Sequence, residues 1–156
     1  SRPLHVPSGA EVAVDKGVAE ASLAQLVVWF EALTPATLAD LARHYHPEVR
    51  FKDPFNDVTG HAAVARIFGH MFEALQAPRF TVRSRMAAGD EAFLTWDFDF
   101  GLRGRALCIR GATHLRFADD GRVLLHRDYW DPAEEIYTKL PVLGPLVRWL
   151  TRRLAG

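Results

Sequence analysis

Two carboxylates and an imidazole occupy positions from which they could move protons. His126 and Asp128 are separated by one residue in Arg122 to Trp130, an alternating run that reads as the last strand of the chain. A period of two puts His126, Asp128 and Trp130 on one face. Imidazole titrates near neutrality, so a buried His–Asp pair can act as an acid/base dyad. The same pair could instead be a structural hydrogen bond closing the end of a sheet. A carboxylate in an apolar interior is costly unless paired or used, so either role gives Asp128 a reason to be there. Asp53 ends a shorter alternating run, Val49-Arg50-Phe51-Lys52-Asp53, directly before Pro54. There its plain role is an Asx turn that caps the following loop.

Other chemistries lack their residues. His44 and His46 are two apart and do not face together on a helix, and His61, His70, His114 and His126 show no ligand spacing, so no metal site is expected. There is no Gly-x-Ser-x-Gly and no phosphate-binding glycine loop. The single cysteine, Cys108, excludes an internal disulfide and reads as a small core residue. No cofactor is implied. The 19 basic residues balance the 19 acidic ones, whereas a general nucleic-acid binder carries a basic excess. The 156 residues, 49% hydrophobic and 24% charged, suit one globular domain with its own core. No apolar run reaches the length of a membrane span and the first residues have no signal-peptide h-region, so a cytoplasmic location is expected.

The elements that must position these groups follow from periodicity. Residues 1–17 carry Pro, Gly and Ser without a period and read as a mobile arm. Leu23, Leu26, Val27, Phe30 and Leu33 mark a first helix. A second starts near Thr37, whose hydroxyl can cap the Asp40 amide, presents Leu38, Leu41, Ala42 and Tyr45, and stops at Pro47. Pro54 to Gly60 is a loop. Val64, Ile67, Phe68, Met71, Phe72 and Leu75 form the stripe of a third helix. The period then falls to two. Strands are predicted from Phe80 to Ala87, Phe93 to Leu102, Leu107 to Phe117 and Arg122 to Trp130, with turns at Gly89-Asp90, Arg103-Gly104-Arg105 and Asp119-Asp120-Gly121. In the second of these Trp96, Phe98 and Phe100 share one face, and Thr95, Asp97 and Asp99 the other. Helices first and an antiparallel meander afterwards make an α+β fold. The three early helices must cover the apolar face of a curved antiparallel sheet, which gives a cone over residues 18–131. Residues 132–156 form a helical extension, beginning at Pro132 and including Leu143 to Leu154.

Three stretches resemble the nuclear-transport-factor-2-like superfamily, with its ketosteroid isomerases, limonene epoxide hydrolases and SnoaL-like polyketide cyclases. They are Tyr45 to Phe55 with its Asp-Pro, Thr59-Gly60-His61, and Leu115-Arg116-Phe117 through Gly121 to His126-Arg127-Asp128-Tyr129-Trp130-Asp131. The likeness covers about residues 20–131. It implies that Asp53 corresponds to the isomerases' general base and that the His126–Asp128 face lies inside the cone. It also implies that Asp128 corresponds to the water-activating Asp of the epoxide hydrolases. The isomerases' two oxyanion donors are replaced by Trp29 and Thr113, and the hydrolases' Arg–Asp pair has no Arg between Ala92 and Gly101. Trp29 is then either a differently placed donor or plain core.

The resulting expectation is a pocket lined by Trp29, Phe30, Phe68, Phe72, Trp96, Phe98, Thr113 and Trp130, with Asp53, His126 and Asp128 as its polar groups. Such a pocket suits a small apolar or amphipathic ligand with one or two oxygens. Two functions fit it: an enzyme of isomerase, cyclase or hydrolase type working by proton transfer or water addition, and a non-catalytic binding or interaction module. Relatives commonly pair through the outer face of the sheet, which implies a homodimer. The C-terminal helix, with Leu143, Leu146, Val147, Leu150 and Leu154 beside Arg148, Arg152 and Arg153, either packs on the domain or its mate or contacts a membrane surface.

Overall fold

The computed structural model describes residues 17–139 and, beyond them, Pro145, Trp149 and Arg152. The predicted arm, all but its last residue, and the predicted helix over Leu143 to Leu154, all but those three residues, lie outside the described part.

The first helix, α1, spans Val18–Glu31 and buries Leu23, Leu26, Val27, Trp29 and Phe30, the stripe its spacing predicts. The second predicted helix is shorter than its sequence suggests. A 3-10 turn over Thr37–Asp40 leads into α2, Leu41–His44, which ends three residues before Pro47. Thr37 does not cap Asp40. Its hydroxyl closes a reciprocal pair with Thr34, accepting from the Thr34 amide at 2.8 Å and donating to the Thr34 carbonyl at 3.2 Å. The chain is already extended at Tyr45, and β1 runs Tyr45–Lys52. The loop that follows contains a short strand, β2, Asp57–Thr59. Gly60, with φ of 89°, turns the chain into α3, His61–Ala74. Four long strands complete the sheet: β3 Gln76–Ala88, β4 Glu91–Leu102, β5 Arg105–Phe117 and β6 Val123–Tyr129.

The six strands are ordered β2-β1-β6-β5-β4-β3. The meander from β3 to β6 is antiparallel as expected, but β1 joins β6 in parallel, so the sheet is mixed. Both ends of the sheet are bent by irregular register. Between Tyr45 and Arg50, β1 advances five residues while β6 advances two, and Pro47, which has no N–H to donate, falls in this interval. On β3, Val82 faces Trp96 and Ser84 faces Thr95, which makes Arg83 the extra residue of a bulge. Glu31 at the end of α1 accepts the Val82 amide there, at 3.2 Å.

The alternation on β4 is as predicted. Leu94, Trp96, Phe98 and Phe100 are buried on the inner face, while Asp97 on the outer face pairs with Arg83 at 2.7 Å. The helix α1 lies against β3 and α3 against β1, closing the concave side. A last helix, α4, Pro132–Glu135, is capped by the Asp131 carboxylate, which accepts from the Ala133 and Glu134 amides. Its buried Glu135 meets Arg110 at 3.4 Å and Lys139 at 3.3 Å, and Lys139 donates to the Cys108 carbonyl, which pins the segment to β5. Among the described residues no helix is long and apolar enough to cross a membrane.

Candidate active site

The inner faces of β4, β5 and β6 bring four polar side chains into one chain of hydrogen bonds. The Trp96 indole N–H donates to Thr113 Oγ1 at 2.8 Å, and the Thr113 hydroxyl donates to Asp128 Oδ1 at 2.6 Å. His126 Nε2 also meets Asp128 Oδ1, at 2.7 Å, and His126 Nδ1 meets the Tyr45 hydroxyl at 2.8 Å. Burial, and then the negative charge of Asp128, hold the Tyr45 phenol well above its ordinary value. Tyr45 therefore stays a neutral phenol whose O–H needs an acceptor, and His126 Nδ1 is the one in reach. In the neutral imidazole Nδ1 then accepts from Tyr45 and the Nε2 proton goes to Asp128. The other end is fixed, because an indole N–H can only donate. Two directed relays thus converge on Oδ1 of Asp128. Its second oxygen, Oδ2, receives no hydrogen bond from the described residues.

Asp128 lines two neighbouring spaces. The inner one, about 20 Å³, is lined by Phe30, Phe68, Phe80, Val82, Leu94, Trp96, Thr113, His126 and Asp128. A water needs roughly 10–15 Å³ of such space, so this chamber has room for one. The outer one, about 150 Å³, shares Phe68, Phe80, Trp96 and Asp128 with it and continues past Phe98, Trp130 and Asp53 to the rim. The pocket is therefore a single-water chamber behind a space sized for a small organic molecule.

Asp53 is at that rim, but its carboxylate is wrapped by its own loop. Oδ1 accepts from the Phe55 amide at 2.8 Å, the Asn56 amide at 2.7 Å and the Asn56 side-chain amide at 3.0 Å, and Oδ2 accepts from the Asn56 side chain at 3.1 Å. This is the Asx turn of the plain reading. Trp29 is set back from the cavity, behind Phe30 and Phe68. Its indole donates to the Thr37 carbonyl at 3.0 Å and its ring stacks on His44, so it is core and has no proton to offer a ligand. Burial lowers the His44 imidazole, consistent with that stacking. Phe72 lines a different groove, between the end of α1 and the start of β3. Phe30, Phe68, Trp96, Phe98, Thr113 and Trp130 line the cavity.

Residues 27–126, more than half of the chain, match the model of the SnoaL-like domain. The chain belongs to the SnoaL-like family. Solved structures with the same fold include a protein of unknown function from Burkholderia pseudomallei, described as NTF2-like. It is 18% identical, with a TM-score of 0.67 over 77% of this chain and 95% of the other. A protein with a ketosteroid-isomerase-like fold from Catenulispora acidiphila, in complex with trimethylamine, is 14% identical, with a TM-score of 0.62 over 74% and 88%. An epoxide hydrolase from M. tuberculosis, similar to limonene epoxide hydrolase, is 14% identical, with a TM-score of 0.67 over 88% and 96%. No curated protein matches the chain. At these identities the relatives establish the SnoaL-like cone and no activity. Among the described residues, no group of three His, Cys, Asp or Glu side chains could hold a metal ion.

Tyr45 is the functional residue that sequence reasoning missed. Counting back in twos from Phe51 and Val49 places it on the inner face, but Pro47 reads as a helix stop and hides the strand. Gly111 is the second. A Cβ there would lie 2.5 Å from the Trp96 ring, so the absent side chain is what lets the indole lie over β5 and reach Thr113.

Proposed function

We propose that this SnoaL-like protein is an enzyme that adds water to a small, largely apolar substrate, with Asp128 as general base. The observation that carries the reading is the Asp128 carboxylate, held on Oδ1 by Thr113 and His126 in the wall of a chamber with room for one water. A base must be within reach of the proton it takes and fixed against rotation, and this geometry provides both. Thr113 and His126 donate to the charged carboxylate, and Tyr45 locks the imidazole that does so. Asp53 is then a rim residue whose turn shapes the mouth. Water addition is favoured over proton transfer next to a carbonyl because the inner chamber has room for one water beside Asp128, and the proton that Asp128 takes from that water passes on to the substrate atom that gains the negative charge. The Trp96, Thr113, His126 and Tyr45 protons are all committed within the network.

The same committed donors favour a second reading, a non-catalytic module that holds a ligand in the aromatic pocket. The relative that binds trimethylamine supports a small-ligand site in this fold. A panel of small epoxides and activated alkenes, assayed with labelled water, separates the two. The enzyme reading expects label in the product, lost in Asp128→Asn with the fold retained. An unchanged rate in that variant overturns it. The homodimer implied by the family is consistent with Met86, Phe93 and Tyr129 exposed on the outer face of the sheet, and sedimentation tests it.

A further inference from the structure

The outer chamber has an unusual charge balance for a space with aromatic walls. Eleven residues line it: six aromatic rings (Phe51, Phe68, Phe80, Trp96, Phe98 and Trp130), three aliphatic side chains and two acids, Asp53 and Asp128. No Lys, Arg or His is among them. Asp128 is half-buried, with its side chain 17% exposed, and its hydrogen bonds come from the Thr113 hydroxyl and the His126 ring. The nearest cations belong to the other side of the sheet. Phe51 pairs with His126 and both face inward, so the next pair along, Lys52 and Arg127, faces outward, and the Arg127 guanidinium lies 4.6 Å over the Tyr129 ring. These two cations line an open depression at the outer rim that also touches Asp53 and Asp128, but not the chamber itself.

A neutral ligand makes no use of the charge on either carboxylate of the lining. An anion is repelled by both acids. A cation with alkyl substituents satisfies both features, because aromatic faces attract it through their quadrupoles and the carboxylates through their charge. We propose that the outer chamber binds a small organic cation, a quaternary or protonated tertiary amine, with its charge toward Asp128 and Asp53 and its alkyl groups against the aromatic walls. This rests on the reading of the cavity as the ligand site and not on the water chemistry assigned to Asp128. If that chemistry also holds, the substrate carries its cationic nitrogen in the outer chamber and its reacting carbon toward the inner one.

The test uses the full chain and two probes of the same shape, choline and 3,3-dimethylbutan-1-ol, which differ by a charged nitrogen in place of a carbon. Binding is followed through the indole N–H signals of Trp96 and Trp130. Choline should bind at least about tenfold more tightly, a preference within reach of desolvated cation–π and ion-pair contacts. Equal affinity for the two probes overturns the inference and leaves the ligand site standing. No response of either indole to either probe overturns the ligand site together with the inference. Asp128→Asn should remove most of the preference, and a preference that survives it undiminished also overturns the proposal. If that variant does not fold, the two probes on the unmodified protein decide alone.

Discussion

Asp53, just past the end of β1, and Asp128, on the adjacent parallel strand β6, are the same side chain, and both reach the same pocket. Four hydrogen bonds from within residues 53–56 hold Asp53, and they would form in a peptide of that sequence. Asp128 is held by partners from β5 and its own strand, and through His126 by Tyr45, which is 81 residues from that histidine. A carboxylate satisfied locally stabilises a turn and has little freedom to exchange a proton. One satisfied by distant groups on a single oxygen is fixed by the whole fold and keeps the other oxygen for the cavity. The role of an acid is thus set by where its donors come from rather than by its distance from the pocket.

The contrast can be broken or sharpened from either side. The largest effect short of removing Asp128 is expected from Thr113→Val. It deletes the donor to Oδ1 and strands the buried Trp96 N–H, which costs about 1–3 kcal/mol of stability in denaturant unfolding. Water addition should fall at least tenfold, and a wild-type rate would show that the Trp96 relay does not orient the base. Gly111→Ala reaches the same relay from beneath. Its Cβ would meet the Trp96 ring at 2.5 Å, so about 1–3 kcal/mol of stability is expected to be lost, with a smaller drop in rate.

Asp53→Ala probes the other carboxylate. It should lower stability by about 1–2 kcal/mol through the lost turn while the rate per folded molecule holds within a few-fold. A large loss of rate with intact stability would reverse the two assignments. The pH dependence is a gentler probe. The folded phenol of Tyr45 titrates well above the unfolded one, so its contribution is complete below about pH 10 and is lost as pH rises beyond that. Unfolding free energy should decline in that alkaline range, and Tyr45→Phe should flatten the slope. At the acid end the exposed carboxylates Asp57, Glu91 and Asp120 are held below their ordinary range, chiefly by hydrogen bonds from Arg50, Arg116 and Arg122. Their contribution is present above about pH 4 and fades as pH falls below it. The smallest effect is expected from Arg83→Ala on the outer face, at most about 1 kcal/mol, because an exposed ion pair is weak.

The two carboxylates also differ in how legible they were. The Asx turn of Asp53 is a local pattern and could be read directly, as could the single face shared by His126, Asp128 and Trp130, because both depend only on near neighbours and a period of two; that this face points inward came from the family resemblance. The inward row of β4 was legible for the same reason. What could not be read came from contacts across the chain. Tyr45 is hidden because Pro47 mimics a helix stop where the structure has irregular register in a strand. The parallel pairing of β1 with β6 joins segments about 75 residues apart, and no periodicity encodes it. Trp29 looks like a pocket aromatic by type, and only the position of the Thr37 carbonyl shows that its N–H is taken.

The central claim is that the reacting carboxylate is Asp128 and not Asp53. The measurement that tests it most directly is the rate of water addition by Asp128→Asn and Asp53→Asn side by side on one substrate, with unfolding curves for both. The account predicts a loss of about a hundredfold or more for Asp128→Asn. For Asp53→Asn it predicts a near-normal rate with reduced stability. The reverse pattern, an inactive but stable Asp53→Asn beside an active Asp128→Asn, would contradict it.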